Sequence, residues 1–170
     1  MDEATLLLGF ITFQRAAELI LARRNTRRLL ASGATEHGRA HYPLMVAFHA
    51  AWLAGLWIVG RGRMVDPFVL AAFVALQLVR LWVLATLRSR WTTRVIVVAG
   101  APLVSGGPYR FVRHPNYVVV ACEIAVVPLA LGLPVYAAVF TLLHVPLLLT
   151  RIQVENRALA AASPARSSGA

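Results

Sequence analysis

Residues 106–117 read Gly106-Gly107-Pro108-Tyr109-Arg110-Phe111-Val112-Arg113-His114-Pro115-Asn116-Tyr117. Two arginines, one histidine, two tyrosines and an asparagine fall within these twelve residues, and long apolar stretches flank them on both sides. Charge is costly in hydrocarbon, so such a cluster sits at a water interface or lines a polar cavity. Gly100, Pro102, Gly106, Gly107 and Pro108 forbid a long helix before it. Pro115 suits the first turn of a helix starting there and biases His114 toward extended backbone. Free N–H groups at that helix start favour an anion, and Arg110 and Arg113 are able to clamp a carboxylate or phosphate in bidentate fashion. The plainer alternative is a basic juxtamembrane loop against lipid phosphates. The accompanying glycines, prolines and tyrosines favour a ligand site.

Outward from this cluster the chain divides into five apolar segments, 4–22, 44–59, 67–87, 117–131 and 135–150. A spanning helix takes about 20 residues, within a range of about 17–25. The first and third segments meet this. The others require tilt or thinning, and the last two, broken at Gly132-Leu133-Pro134, are either full spans or a hairpin of shorter helices. Of the 170 residues 59% are hydrophobic and 14% charged, against about 45–50% and about 25% in soluble domains. The net charge of +10 comes from seventeen arginines and no lysine, a choice that points to GC-rich coding. A basic excess otherwise suggests nucleic acid. Here it falls between apolar runs, which points to anionic membrane lipid and not to nucleic acid.

The arginines also give an orientation. The connections 23–43 and 88–116 and the tail carry thirteen of them, whereas the opposite side has only Arg61 and Arg63. Adding Arg15 and Arg80 inside spans completes the seventeen. The positive-inside rule puts the N-terminus outside and the long connections in the cytoplasm. The expected fold is an all-α integral membrane protein of about five transmembrane helices. An irregular cytoplasmic loop joins helices three and four, and a cytoplasmic C-terminal helix follows the fifth. The β-branched run 91–98 within that loop reads as extended. One domain is expected over 1–159, and 160–170 reads as a disordered tail. The start Met-Asp-Glu-Ala lacks a basic n-region, so the first apolar run is expected to be retained. Cys122 is alone and reads as a small buried hydrophobe.

Further polar residues stand where apolar ones are expected. Arg151 and Glu155 are four apart and share a helix face with His144 and Leu148. An ordinary helix-end salt bridge would explain the pair, but Glu155 is the one acid in the C-terminal part. Gln14, Arg15 and Glu18 lie inside the first segment, Gln77 and Arg80 inside the third, and Glu123 inside the fourth, seven residues after Asn116. Ionisable residues at such depth face a cavity or a partner, so Arg15 and Glu18 either pack helices or line a pocket. Asn25, Glu36, His41 and Tyr42 follow in the first connection, and His49 sits one turn into the second helix. His41 and His49 lack acids or thiols at ligand spacing, so no metal site is expected. Phosphate-binding, dinucleotide, nucleophile-elbow and zinc-protease motifs are absent.

The run Gly107-Pro108-Tyr109-Arg110-Phe111-Val112-Arg113-His114-Pro115-Asn116-Tyr117, the five apolar segments and the closing Arg151-x-x-x-Glu155 resemble the isoprenylcysteine carboxyl methyltransferase family. The resemblance covers about residues 100–159, which it implies are the cofactor-binding half, and it implies an integral-membrane methyltransferase using S-adenosyl-L-methionine and releasing S-adenosyl-L-homocysteine. It implies that Tyr109, Arg110, Arg113, His114, Pro115, Tyr117, Glu155 and Asn156 contact the cofactor, and that Arg151 and Glu155 are catalytic. The family typically ends in a pair of glutamates, whereas this chain has Asn156 second. Asparagine still hydrogen-bonds an adenine or an amino group but offsets no positive charge. The N-terminal half resembles a bacterial branch that is associated with type III polyketide synthases and methylates long-chain alkylpyrones or alkylresorcinols. That likeness implies substrate contacts at Arg15, Glu18, His41, Tyr42 and His49, and a site on the cytoplasmic face of a bacterial cytoplasmic membrane.

Methyl transfer from a sulfonium is an in-line displacement, so alignment and desolvation of the acceptor are the main tasks. A carboxylate or an acidic pyrone enol needs no strong base, and Arg151 would orient it. A phenol would need one, with His41 or Glu18 as first suspects. Two rivals remain at this level. Sterol and steroid reductases, which bind NADPH, share a similar Arg-His-Pro-Asn-Tyr run, but different residues flank it there. A non-enzymatic lipid-binding membrane subunit explains the hydrophobicity but not the co-occurrence of Tyr109, Arg113, His114, Tyr117, Arg151 and Glu155.

Overall fold

The computed structural model describes residues 2–162. Five helices dominate it: α1 (Glu3–Ala31), α2 (Tyr42–Val59), α3 (Pro67–Leu87), α4 (Pro115–Ala130) and α5 (Pro134–Ala162). Their starts follow from local chemistry. Asp2 caps α1 by accepting from Thr5 N at 2.8 Å, and Asp66 caps α3 by accepting from Phe68 N at 2.9 Å. Proline occupies the first turn of α2, α3 and α4, where a missing N–H loses no helix bond.

α1, α2 with the turn before it, α3 and α5 are long and apolar enough to cross a membrane. α4 is shorter, with 16 residues, or about 24 Å at 1.5 Å per residue. It still lies along α3, because Asp66 N at the start of α3 donates to Ala130 O at the end of α4, 2.8 Å away. Successive helices alternate in direction. The short turns 60–66 and 131–133 meet at one end, where Gly62 N donates to Asp2 Oδ1 at 3.3 Å. Both long connections gather at the other.

α1 and α5 each have 29 residues, about 44 Å of helix, and so exceed the roughly 30 Å hydrocarbon layer. Both outrun the segments expected from the sequence, which end at 22 and 150. Residues 23–31 and 151–162 hold neither glycine nor proline, so nothing stops the helix. The separately expected C-terminal helix is the continuation of α5. Residues 160–162 belong to it, and the remainder of the expected tail, 163–170, lies outside the described residues.

The all-α expectation holds for the five helices, with one short ribbon added. Strand β1 (Thr35–His37) pairs antiparallel with β2 (Val95–Val97), Glu36 lying opposite Ile96. This ribbon joins the two long connections, so the loop between α3 and α4 is less irregular than the sequence implies.

The apolar core occupies the end away from this ribbon, where Leu8, Ile11, Trp52, Leu56, Phe73, Ile124 and Val127 pack together. Gly55 is required there, since a Cβ would run into the Tyr136 hydroxyl, which donates to Trp52 O at 2.7 Å. Outward-facing side chains are apolar as well: Phe13 is 75% exposed and Leu142 72% exposed, as suits a lipid-facing surface. Cys122 is exposed rather than buried. Its neighbour Glu123, about 100° round the helix, takes the inward face.

Candidate active site at the polar end of the bundle

At the ribbon end, single polar residues fix each connection. Asn25 on α1 is buried and donates to Trp91 O at 2.8 Å and Arg88 O at 3.2 Å. Glu36 on β1 pairs with Arg94 at 2.8 Å and Arg39 at 3.0 Å, and Tyr42 bonds Thr93 at 3.0 Å. Gly107 opens a short 3-10 turn, Gly107–Arg110, with φ +57. A Cβ there would strike Thr86 on α3, so glycine lets the turn press against α3 and swing Tyr109 inward.

These connections and the ends of α4 and α5 enclose a cavity of about 460 Å³, a volume common for small-molecule sites. Tyr109, Arg113, His114, Asn116, Tyr117, Arg151, Glu155 and Asn156 line it together with Trp91 and the β2 strand. The rings of His114 and Tyr117 stack with centroids 5.3 Å apart. His114 Nε2 lies 3.1 Å from Asn156 Oδ1, and its Nδ1 lies 3.7 Å from Glu155. Tyr117 donates its hydroxyl to the Glu155 carboxylate and accepts from Arg151 Nε at 2.8 Å. Arg151, 5% exposed, also donates from Nη1 to Met45 Sδ at 3.5 Å. It forms no ion pair with Glu155, so the simple salt-bridge explanation of that pair does not hold. Burial, with the Glu155 charge adding to it, pushes the Tyr109 phenol well up, so Tyr109 stays a donor.

The structure thus brings together seven of the residues singled out in the sequence: Tyr109, Arg113, His114, Tyr117, Arg151, Glu155 and Asn156. Arg110 is outside; its guanidinium stacks on Phe111, 4.8 Å from the ring centroid. Pro115 is buried in the first turn of α4 and sets where that helix begins. Trp91 and Asn116 were not assigned a role from the sequence. Both line the cavity, and Trp91 Nε1 and Asn116 Oδ1 are buried without a partner among the described residues. Buried polar atoms are ordinarily satisfied, and the asparagine within the polar run was the one available signal.

Arg15, Glu18, His41, Tyr42 and His49 do not line this cavity. Glu18 accepts from Arg15 at 2.9 Å, from Gln14 at 3.1 Å and from Arg80 at 2.9 Å. Glu123 on α4 accepts from Gln77 at 2.7 Å, from Arg80 Nε at 3.0 Å and from Arg15. Two arginines and two glutamates therefore neutralise one another across α1, α3 and α4. Both Glu18 oxygens are already taken by donors, and the residue lies outside the cavity, so it is not placed to meet an acceptor there. His41 lies over Gly38 beside Val154. His49 lies on α2, with Nδ1 2.8 Å from Met45 O and its ring edge-on to His144 at 5.6 Å.

Four helices long and apolar enough to cross a membrane, with a polar cavity where the long connections gather, make the frame of an integral-membrane protein with a small-molecule site. A profile of the Isoprenylcysteine carboxyl methyltransferase (ICMT) family matches residues 69–161, and the chain belongs to that family of integral-membrane methyltransferases, which generally use S-adenosylmethionine. It is also 34% identical over 167 residues, covering 91% of this chain and 95% of the relative, to the protein named Uncharacterized protein YpbQ of Bacillus subtilis (strain 168). No solved structure matches.

Proposed function

We propose that this protein transfers a methyl group from S-adenosyl-L-methionine to an oxygen of a lipophilic acceptor. One observation carries the reading. Two charges of opposite sign, Glu155 and Arg151, sit at one cavity and are separated by the Tyr117 hydroxyl. That arrangement suits a cationic donor on one side and an anionic acceptor oxygen on the other. The unpaired atoms of Trp91 and Asn116 fit the cofactor as well, offering one donor and one acceptor to a purine or an amino acid group.

When bound, the cofactor supplies an activated methyl group on a sulfonium sulfur and leaves as S-adenosyl-L-homocysteine. The chain's own residues bind and orient. Glu155 supplies negative charge, and His114 and Asn156 hold its flank. Arg151, with no carboxylate partner among the described residues, positions an acceptor anion without protonating it. Tyr117 fixes the spacing between the two, which is the alignment an in-line displacement needs.

The acceptor we assign is a long-chain lipid of the alkylpyrone or alkylresorcinol kind, supplied by a type III polyketide synthase. Such a molecule enters sideways from the bilayer while the cofactor enters from the cytoplasm. The gathering of the arginine-rich connections at the cavity end supports that sidedness.

Calorimetric titration of the detergent-purified protein with S-adenosyl-L-homocysteine and, separately, NADPH tests the reading, with His114→Ala as control. Saturable S-adenosyl-L-homocysteine binding that weakens in the variant is expected. Binding of NADPH alone would replace the methyltransferase with a reductase, and binding of neither by folded protein would favour a lipid-binding subunit.

A further inference from the structure

α2 and α5 face each other along a polar seam that leaves the cavity and runs into the bundle. Met45 and His49 stand on α2, His144 and Arg151 on α5. Met45 makes the join. Its sulfur accepts from Arg151 Nη1 at 3.5 Å, and its carbonyl lies 2.8 Å from His49 Nδ1. A carbonyl oxygen only accepts, so Nδ1 must carry the hydrogen. That fixes the neutral tautomer of His49 and leaves the Nε2 lone pair available. Nε2 has no hydrogen-bond partner among the described residues.

The ring is also held in place. His144 meets it edge-on at 5.6 Å, and Phe48 packs against both imidazoles at 5.4 Å. Met45 and His49 on the α2 side of the seam are half-buried, whereas His144 and Arg151 on the α5 side are buried.

We propose that His49 is the general base that removes the proton from the acceptor, which is therefore a weakly acidic phenolic hydroxyl on a lipid chain lying along the α2–α5 seam. The inference rests on the methyltransferase reading above. The acceptor O–H gives its proton to His49 Nε2, forming an imidazolium. The freed oxygen pair forms the new bond to the methyl carbon as the carbon–sulfur bond breaks, that pair staying on sulfur. The imidazolium returns its proton to water before the next turnover. Arg151, one step along the seam through Met45, holds the developing phenolate.

Other charged groups near His49 leave it this role. Arg15 on α1, Arg80 on α3 and Arg151 on α5 reach it electrostatically. The first two are neutralised by Glu18 and Glu123. His144 on α5 adds a second imidazole beside it.

The test compares wild type with His49→Ala and His49→Gln in detergent or nanodiscs. The acceptors are a long-chain alkylresorcinol and a long-chain fatty carboxylate, and S-adenosyl-L-homocysteine affinity is measured on the same samples. Wild type should methylate the resorcinol with kcat/KM falling on the acid side. Both variants should lose about 100-fold or more in kcat, the usual scale for a positioned base. They should also lose the acid limb while binding S-adenosyl-L-homocysteine as wild type does. Unchanged turnover in the variants, an equal loss on any accepted carboxylate, or failure of wild type to methylate the resorcinol while binding S-adenosyl-L-homocysteine would each overturn the assignment of His49. Failure of wild type to bind S-adenosyl-L-homocysteine at all would overturn the methyltransferase reading itself.

Discussion

Arg151 donates from Nε to the hydroxyl of Tyr117 at 2.8 Å, and the same hydroxyl donates to Glu155. The two charged groups lie one turn apart on α5, where an i,i+4 salt bridge is the usual outcome. A tyrosine from α4 separates them instead, and the separation leaves each charge a free side toward the cavity.

Tyr117→Phe removes this link and keeps the ring stacked on His114. Hydrogen bonds to charged groups contribute about 1.5–3 kcal/mol. The expected loss is about 10- to 100-fold in kcat/KM, with thermal stability in detergent little changed. Turnover assays beside a melting curve check it. If Arg151 and Glu155 simply closed into a salt bridge without functional loss, the separation would have no role in catalysis.

How far the site was legible follows from what each residue needs. His114 and Tyr117 stand in one dense polar run, and Arg151 and Glu155 share a helix face, so the sequence singled them out while the resemblance supplied their expected roles. α3 begins and ends where Pro67 and Leu87 suggested, because Asp66 and Pro67 form a start signal with a local mechanism. β1 was missed because three residues carry no detectable alternation, and their partner lies sixty residues on. Trp91 lacks any local mark of a cavity residue. Arg15 and Glu18 were readable as a pair, and Gln77, Arg80 and Glu123 as buried polar residues, but their joining across three helices depends on tertiary register.

That junction gives a second prediction. Arg80 is 2% exposed and Glu123 1% exposed, so Arg80→Met leaves Glu123 and Glu18 to share Arg15 as their one cationic partner among the described residues. Breaking a buried pair from one side costs about 3–5 kcal/mol. A clear fall in melting temperature is expected for Arg80→Met and for Glu123→Leu. The double variant should recover part of it, since removing both partners leaves Arg15 and Glu18 still paired at 2.9 Å. Strictly additive losses in a double-mutant cycle would show that the two side chains do not act as a unit.

Gly107→Ala tests the turn that delivers Tyr109. The new Cβ meets Thr86, and φ at this position is +57. A non-glycine residue held in such backbone costs about 1–3 kcal/mol. Weaker S-adenosyl-L-homocysteine binding is expected along with lower stability, because Tyr109 must shift away from the cavity wall. Gly106→Ala, at a position with no neighbour within 4 Å of the added carbon, is the matched control and should bind as wild type does.

Asn156→Glu examines the departure at the second acidic position. Asn156 Oδ1 lies 3.1 Å from His114 Nε2, and the glutamate carboxylate, one methylene longer, still reaches that ring while adding a negative charge beside Glu155. S-adenosyl-L-methionine carries a sulfonium charge that S-adenosyl-L-homocysteine lacks, so the variant should bind the former more tightly with less effect on the latter. Partly exposed charge pairs contribute about 0.2–1 kcal/mol, which makes the expected gain at most about fivefold. Paired titrations with the two ligands read it directly. Equal changes in both affinities would mean that residue 156 acts by positioning His114 rather than by its charge, and that Glu155 alone supplies the negative field at the cavity.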